Sequence, residues 1–300
     1  MNPIPPPILT RLLVEAPVPT CPLQPKYPEP EYLPARGSKL DTFMKIATFN
    51  ANSIRARLDT VIDWLATNEP DVLAVQETKV EDAKFPVEEF EGAGWQVAFH
   101  GQKSYNGVAL LSRHPILNVT KGFGDLTWPE DCRLIVGEVQ GIPILNTYVP
   151  NGSAVGSEKF DYKLRWLERF GEFVAKRFSG GNPAVWLGDI NIAPTPDDVF
   201  EPKKHEGKVG FHPLEKGALG RLTTWGWVDL FREFHEGPGH YTFWEFVIPK
   251  AFERNLGWRI DHIYATSRLA ETCVSCEIDR EPRGWEHPSD HTFVVAEFDV

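Results

Sequence analysis

Asp189 and Asn191 stand two residues apart at the end of the apolar run Ala184-Val185-Trp186-Leu187, within the segment GDINIAP (188–194). Side chains at that spacing point to the same side of an extended chain, so an acceptor-only carboxylate lies beside a carboxamide. Such a pair suits a site that orients water and oxyanions. Five other apolar runs end or begin in residues of the same kind. Residues 44–49 run into Asn50 and Asn52, 71–76 into Glu77, and 142–147 into Tyr148 and then Asn151. Asp261 lies inside 259–264, and Asp290-His291 directly precedes 292–298.

Singly, each is ordinary: a solvated strand-end carboxylate, an Asx turn, a core tyrosine. Jointly they supply hard oxygen donors plus one His, with no Cys or His pair near, which favours Mg²⁺ or Mn²⁺ over zinc. One Asp could position an attacking water. A second could orient a His that stabilises a pentacovalent phosphate or shuttles a proton. The chain has neither a Walker-type loop nor a GxSxG elbow, so the residues point to hydrolysis of a phosphate ester.

These residues must be held by the elements that carry the apolar runs. From Met44 onward, strand-like and helix-like patterns alternate. Ile54, Leu58, Val61, Ile62 and Leu65 have helical spacing up to the stop at Pro70. Tyr162, Leu164, Leu167, Phe170, Val174 and Phe178 can line the buried face of a second helix over 159–178. Strands also read over 107–112, 134–139 and 142–149, the last two separated only by Gln140 and Gly141, a hairpin signal. A single mixed α/β domain over 44–300 is predicted, with no internal repeat visible. Before it, residues 1–43 hold eleven prolines and read as a disordered extension. Its apolar stretch, Ile8-Leu9 and Leu12-Leu13-Val14, is broken by Thr10 and Arg11 and lacks the charged start and cleavage site of a secretory signal.

With 300 residues, 42% of them hydrophobic, the chain can bury one large core, and no apolar run is long enough for a membrane span. A net charge of −11 argues for an enzyme or small-ligand binder over a stoichiometric nucleic-acid coat. A local basic strip can still grip phosphates. Four cysteines are too few for a disulfide-built fold and point to a reducing compartment. Cys273 and Cys276, with no second pair near them, read as two thiols on a strand rather than as a zinc or redox site.

Several segments together carry a resemblance: KIATFNANSIRARL (45–58), PDVLAVQETKV (70–80), GQKSYNGVALLSR (101–113), YVPNG (148–152), KFDYKLRWL (159–167), GDINIAP (188–194), YTFWEF (241–246), NLGWRIDHIYAT (255–266) and PSDH (288–291). In this order they resemble the exonuclease III type of apurinic/apyrimidinic (AP) endonuclease, within the endonuclease/exonuclease/phosphatase superfamily. The resemblance implies a four-layered α/β sandwich, two mixed β-sheets packed face to face with helices outside. It also implies a Mg²⁺-dependent DNA repair nuclease, with Mn²⁺ as a substitute. Such an enzyme cleaves double-stranded DNA 5′ to abasic sites and acts at recessed or blocked 3′ ends as an exonuclease or phosphodiesterase. The implied protein is a cytoplasmic monomer, nucleoid-associated if its source is bacterial, with no membrane partner.

Residue by residue, Glu77 matches the principal metal-binding acid, with Asn52 and Asp290 beside it and Asn50 in the phosphate shell. Asp189 matches the acid that aligns the attacking water or protonates the leaving group, and Asn191 its partner on the phosphate. His291 matches the imidazole on the scissile phosphate, Asp261 the carboxylate that orients it, and Tyr148 and Asn151 residues at the phosphate and 3′ oxygen. Phe243, Trp258 and Ile260 match the pocket for a flipped-out abasic sugar, which excludes a base and is cheapest to extrude where none is stacked. Lys103, Tyr105 and Asn106 match positions that reach backbone phosphates without reading sequence. The chain departs from its relatives at Ile190, where many carry Phe, at Thr292-Phe293, where an Ala-Pro pair is usual, and at Asn52, where some carry Asp. The last leaves the number of metals open. A relative that is mainly an exonuclease or another phosphodiesterase is the alternative within the superfamily. A catalytically silent DNA-binding module is the alternative outside enzymes, and the complete acid set argues against it.

Overall fold

Along the first strand, β1 (Phe43–Asn50), side chains of opposite parity enter two different cores, Met44 and Ile46 one, Ala47 and Phe49 the other. A strand so buried must be covered on both faces, and the computed structural model shows how. It describes residues 43–300 apart from 126, 127, 129, 130, 179 and 180. After β1 come α1 (Leu58–Asn68), β2 (Val72–Gln76), α2 (Val87–Gly92), β3 (Gln96–His100), β4 (Val108–Ser112), β5 (Ile116–Lys121), β6 (Leu134–Val139), β7 (Ile142–Tyr148), α3 (Glu158–Arg177) and β8 (Val185–Asp189). The remainder is α4 (Pro202–His205), α5 (Pro213–Thr224), β9 (Trp227–Asp229), α6 (Leu230–Phe234), β10 (Asp261–Thr266), α7 (Ser267–Ala270), β11 (Cys273–Asp279) and β12 (Phe293–Asp299).

The strands form two six-stranded sheets, ordered β11-β12-β1-β2-β4-β3 and β5-β6-β7-β8-β10-β9. Each sheet has one parallel pair, β1 with β2 and β7 with β8, and the other neighbours are antiparallel. A parallel return needs a long crossover, which α1 and α3 supply. The two sheets thus repeat one pattern of parallel and antiparallel pairs, although no repeat shows in the sequence.

The inner faces meet in a core that includes Ile46, Val72, Leu110, Ile144, Leu187, Ile263 and Val294. Outside the first sheet, Trp64, Leu65 and Phe90 of α1 and α2 pack on Phe49 and Val75. Outside the second, Trp166, Phe170 and Leu219 of α3 and α5 pack on Leu145 and Trp186. Full burial of each such side chain contributes about 1.5–3 kcal/mol. Helix, sheet, sheet and helix are the four layers expected of the α/β sandwich.

A few polar groups cross the inner core. Gln76 Nε2 donates to Asn146 Oδ1 at 2.8 Å and to Thr48 Oγ1 at 2.9 Å, tying β2 and β1 of one sheet to β7 of the other. Asn146 Nδ2 in turn donates to the carbonyls of Val75 and Ala109. All three side chains are buried.

Two details differ from the sequence reading. The helix expected from Ile54 is a 3-10 turn, Ile54–Ala56, followed by α1, which ends at Glu69 in a left-handed conformation (φ 48°). On α3, Tyr162 and Leu164 are half-buried, while the fully covered stripe is Phe160, Lys163, Trp166, Leu167, Phe170, Phe173 and Val174. A lysine enters that stripe because Glu215 of α5 faces it. Asp41–Val300 forms one unit, and apart from Phe43 the Pro-rich extension lies outside the described residues. Cys273 and Cys276 lie on β11 as free thiols, both raised by burial, Cys273 to about 11. No helix among the described residues is long and apolar enough to cross a membrane.

Candidate active site

Strand parity decides where the polar strand ends point. Asn50 shares the inward parity of Ile46, Tyr148 that of Ile144, Asp189 that of Leu187, and Asp261 that of Ile263. Their side chains therefore gather at one end of the layer between the sheets. That end carries the carboxyl termini of all four parallel strands, β1, β2, β7 and β8, and the amino termini of β10 and β12.

Asn50 is the hub. Its Nδ2 donates at 2.9 Å to both Glu77 Oε1 and Asp189 Oδ2, one acid from each sheet, and its Oδ1 accepts from the Asn52 amide. Glu77 follows β2 in a left-handed conformation (φ 50°), and its other oxygen faces Lys79 Nζ at 2.7 Å. Burial alone would raise the Glu77 carboxyl, but hydrogen bonds from Lys79 and Asn50 outweigh it and hold the group below its usual range. Lys79 also donates to Asn52 Oδ1, and Asn52 Nδ2 donates to Asp290 Oδ1 at 2.9 Å.

Asp189 is buried, with Oδ1 accepting from the Asn191 backbone N–H at 2.9 Å, an Asx turn. Gly188 before it has φ 129°, and a Cβ there would stand 2.0 Å from the Thr147 carbonyl, so only glycine lets β8 lie this close to β7. His291 Nδ1 lies 2.8 Å from Asp261 Oδ2, while its Nε2 faces Asp189 Oδ2 across 3.9 Å, too far for a direct hydrogen bond. Burial disfavours a charged imidazole, but Asp261, then Asp189 and Asp290, overcome it and carry His291 up to about 10. Burial pushes Asp189 up to about 8, against the pull of His291 and with Asp261 and Glu77 adding to it. Burial thus favours the neutral carboxyl on Asp189, beside an imidazole on His291 that its carboxylate neighbours favour as the cation.

Tyr148 completes this floor. Burial, then the negative charges of Glu77 and Asp189, hold its hydroxyl well above the ordinary phenol range, and the Arg133 guanidinium lies 4.7 Å from its ring centroid. Asn151 Nδ2 donates to Asn191 Oδ1 at 3.0 Å, and Asn191 Nδ2 to the Val149 carbonyl. One wall is aromatic. The backbones of Phe243 and Trp258 exchange two hydrogen bonds of 2.9 Å, and the Phe243 ring lies 4.8 Å from that of His291. Thr242 Oγ1 accepts from the amides of both Ile260 and Asp261 at 3.1 Å, fixing pocket wall and acid together. The result is a cleft of about 240 Å³ lined by Glu77, Tyr148, Asn151, Asp189, Asn191, Phe243, Trp258, Ile260, Asp290 and His291, with Val209, Gly210 and Glu245.

Glu77, Asp189 and His291 offer ligand atoms that all lie within 4.8 Å of one another, the only such group of His, Cys, Asp or Glu among the described residues. The metal shell expected from the sequence was Glu77, Asn52 and Asp290. Asn52 lies a step back, both ends of its amide engaged by Lys79 and Asp290, while Asp290 and Glu77 reach the cleft. Carboxylate donors with no thiolate fit a hard dication, and the ammonium of Lys79 against Glu77 shows that this carboxylate already draws positive charge.

The phosphate-contact residues read from the sequence stand apart from this cluster. Lys103 and Tyr105 are exposed between β3 and β4, Tyr105 at 70%, and neither lines the cleft. Asn106 is half-buried, its amide donating to the Asp131 carbonyl. Lys79, Thr242, Arg133, Lys163 and Glu215 were missed. Lys79 had a local signal, a cation two residues from the acid. Lys163 had one too, a charge within an apolar stripe.

A model of the family described as Endonuclease/Exonuclease/phosphatase matches residues 47–291. Exodeoxyribonuclease III of Haemophilus influenzae is 34% identical over 266 residues, covering 85% of this chain and 100% of that protein. Among solved structures, an AP endonuclease from Archaeoglobus fulgidus superposes with a TM-score of 0.83 at 46% identity, covering 86% of this chain and 100% of the other. A 3′ phosphatase from Neisseria bound to product DNA hairpin does so with a TM-score of 0.82 at 38% identity, with the same coverage of both chains.

Proposed function

The chain belongs to the endonuclease/exonuclease/phosphatase family, and from that premise we propose that this DNA repair nuclease cleaves the phosphodiester 5′ to abasic sites, using Mg²⁺. It is a hydrolytic enzyme of the exonuclease III and AP endonuclease type. Removal of 3′ blocking groups or nucleotides is proposed as its second activity, supported by the 3′ phosphatase among its structural relatives. The observation that carries the abasic-site preference is the convergence of Glu77, Asp189 and His291 on a cleft walled by Phe243, Trp258 and Ile260. Apolar walls that close over a bare deoxyribose leave no room for hydrogen bonds to a base. Action as a monomer, with DNA in the cytoplasm, belongs to the same proposal.

Glu77 and Asp290 would hold the ion, with Asn52 orienting Asp290. When bound, it offsets the negative charge that builds on the phosphate oxygens. The chain's own residues do the rest. Asp189, its oxygens fixed by Asn50 and the Asn191 amide, accepts the proton of an in-line water in its ionised form, which the cationic His291 favours and a dication at Glu77 would favour further. His291, kept protonated by Asp261, donates from Nε2 to a non-bridging phosphate oxygen as the phosphorane forms. The carboxamides of Asn191 and Asn151 and the Tyr148 hydroxyl hold the phosphate on the other side, where the bond from phosphorus to the 3′ oxygen breaks and that oxygen takes a proton from the Tyr148 hydroxyl, which recovers it from water. Lys103, Tyr105 and Asn106 are proposed to meet flanking phosphates further along the duplex, so binding is expected to weaken steeply with salt.

The test uses duplexes bearing one abasic-site analogue, an undamaged recessed 3′ end or a 3′ phosphate, with Mg²⁺ or with EDTA, for wild type and Asp189→Ala. Incision of the abasic strand that needs both Mg²⁺ and Asp189 is expected. An abasic strand left intact at enzyme excess refutes the substrate, and cleavage surviving both EDTA and Asp189→Ala refutes the mechanism.

A further inference from the structure

Beneath the cleft lies a charged pair that the chemistry does not touch. Lys163 on α3 and Glu215 on α5 are both 0% exposed and face each other as an ion pair. Lys163 Nζ also donates to the Asn191 carbonyl at 2.7 Å and to the Asn151 carbonyl at 3.2 Å. Glu215 Oε2 accepts from the amides of Gly210 at 2.8 Å and His212 at 3.2 Å. Asn151, Asn191 and Gly210 each line the cleft, on loops that no strand ladder joins. Gly152 leaves the passage open, since a Cβ on it would stand 3.2 Å from Lys163 Cδ.

Stability alone does not account for this pair. A buried lysine loses its hydration, as the lowering of its pKa by burial shows, and a well-packed apolar pair of similar volume is commonly as stable or more so. An apolar pair cannot donate to two carbonyls at once. We infer that Lys163 and Glu215 are positioning residues, which hold the Asn151–Asn191 carboxamide pair and the Gly210 wall at the spacing the scissile phosphate needs. This rests on the function proposed above. Small displacements of such groups are costly, ~100-fold in rate for about 1 Å.

Two paired variants separate positioning from support. Lys163→Met with Glu215→Leu removes charge and donors, whereas Lys163→Gln with Glu215→Gln removes charge but keeps a donor for Asn191 and an acceptor for Gly210. Thermal unfolding and kcat and KM for abasic-duplex incision are measured for each. The Met/Leu protein should melt within about 4 °C of wild type, a change worth ~1 kcal/mol. Its kcat should fall ~10–100-fold with KM within about threefold, while the Gln/Gln protein keeps kcat within about fivefold. Equal kcat in the two stable variants overturns the inference. Should Met/Leu not fold, Gln/Gln decides alone: a folded protein with kcat down ~100-fold means that charge, and not these hydrogen bonds, matters. Wild type run in parallel isolates a failure of the functional proposal, because an inactive wild type condemns that proposal whatever the variants do.

Discussion

Asp261→Asn removes a charge from the active site while keeping shape and an oxygen that can still accept from His291 Nδ1. In the wild type that carboxylate lies 2.8 Å from the imidazole, nearer than Asp189 at 3.9 Å, and leads the groups that lift His291 to about 10. The ordinary imidazole value is about 6.5, so the carboxylates, Asp261 first among them, more than offset the opposing effect of burial. A carboxylate this close to a buried imidazole favours its charged form by ~3 kcal/mol, about 100-fold in proton affinity. Without it, burial is left opposed only by the more distant acids, and a ~100-fold weaker hold on the proton brings the titration of His291 down from about 10 to near 8. Incision is then expected to fall about twofold at pH 8 and ~10-fold at pH 9, because an imidazole that has lost its Nε2 proton cannot donate to the phosphate. At pH 6 much of the deficit should disappear. The assay is single-turnover kcat/KM on an abasic-analogue duplex between pH 5.5 and 9 with saturating Mg²⁺, alongside NMR titration of the His291 ring. A loss that is the same at every pH, or a variant His291 that still titrates near 10, refutes the assignment of Asp261 as the source of the imidazolium.

Two further outcomes are expected. Arg259 is buried, with Nε 2.6 Å from Asp198 and two nitrogens on the oxygens of Asp229, so Arg259→Met should cost ~3–5 kcal/mol in urea unfolding at pH 7. Burial would raise both acids, but Arg259 holds them below their usual values. The stability they carry is present above the ordinary Asp value of about 4 and is lost as pH falls below it, so the gap between variant and wild type should narrow in acid. An undiminished gap at pH 3 contradicts this. Trp258→Ala opens the aromatic wall and should lower kcat/KM for the abasic duplex ~10-fold or more while changing 3′-phosphate removal far less. Equal losses on both substrates would remove Trp258 from sugar selection.

Much of the centre was legible because it follows from strand parity. Asn50, Tyr148, Asp189 and Asp261 are strand residues whose inward direction can be counted along apolar neighbours, and the structure brings them together. Glu77 lies one residue beyond β2 and His291 two residues before β12, and both were legible only as polar ends. What parity cannot reach is a partner set by tertiary approach. Lys163 finds Glu215 across 52 positions of chain, between two helices whose facing sides are decided only when both settle on the second sheet. Thr242 likewise acts through a hydroxyl on two amides of a distant segment. The duplicated strand order was invisible because it is written in hydrogen-bond pattern and not in residue types.

The reactive centre straddles a seam. Asn50 and the segments just beyond β2 and before β12 that carry Glu77 and His291 come from the first sheet, Tyr148, Asp189 and Asp261 from the second. Between the sheets lie mostly branched aliphatic side chains, whose attraction has no direction and resists sliding only by shape. The amide of Gln76 seated on that of Asn146 does have direction, and it sits one residue from Glu77 and two from Tyr148. It works as a dowel between two plates. The alignment of acid to acid is therefore a matter of how the halves are pinned as much as of the residues that face the phosphate, and a substitution deep in the seam can put the centre out of true without touching it.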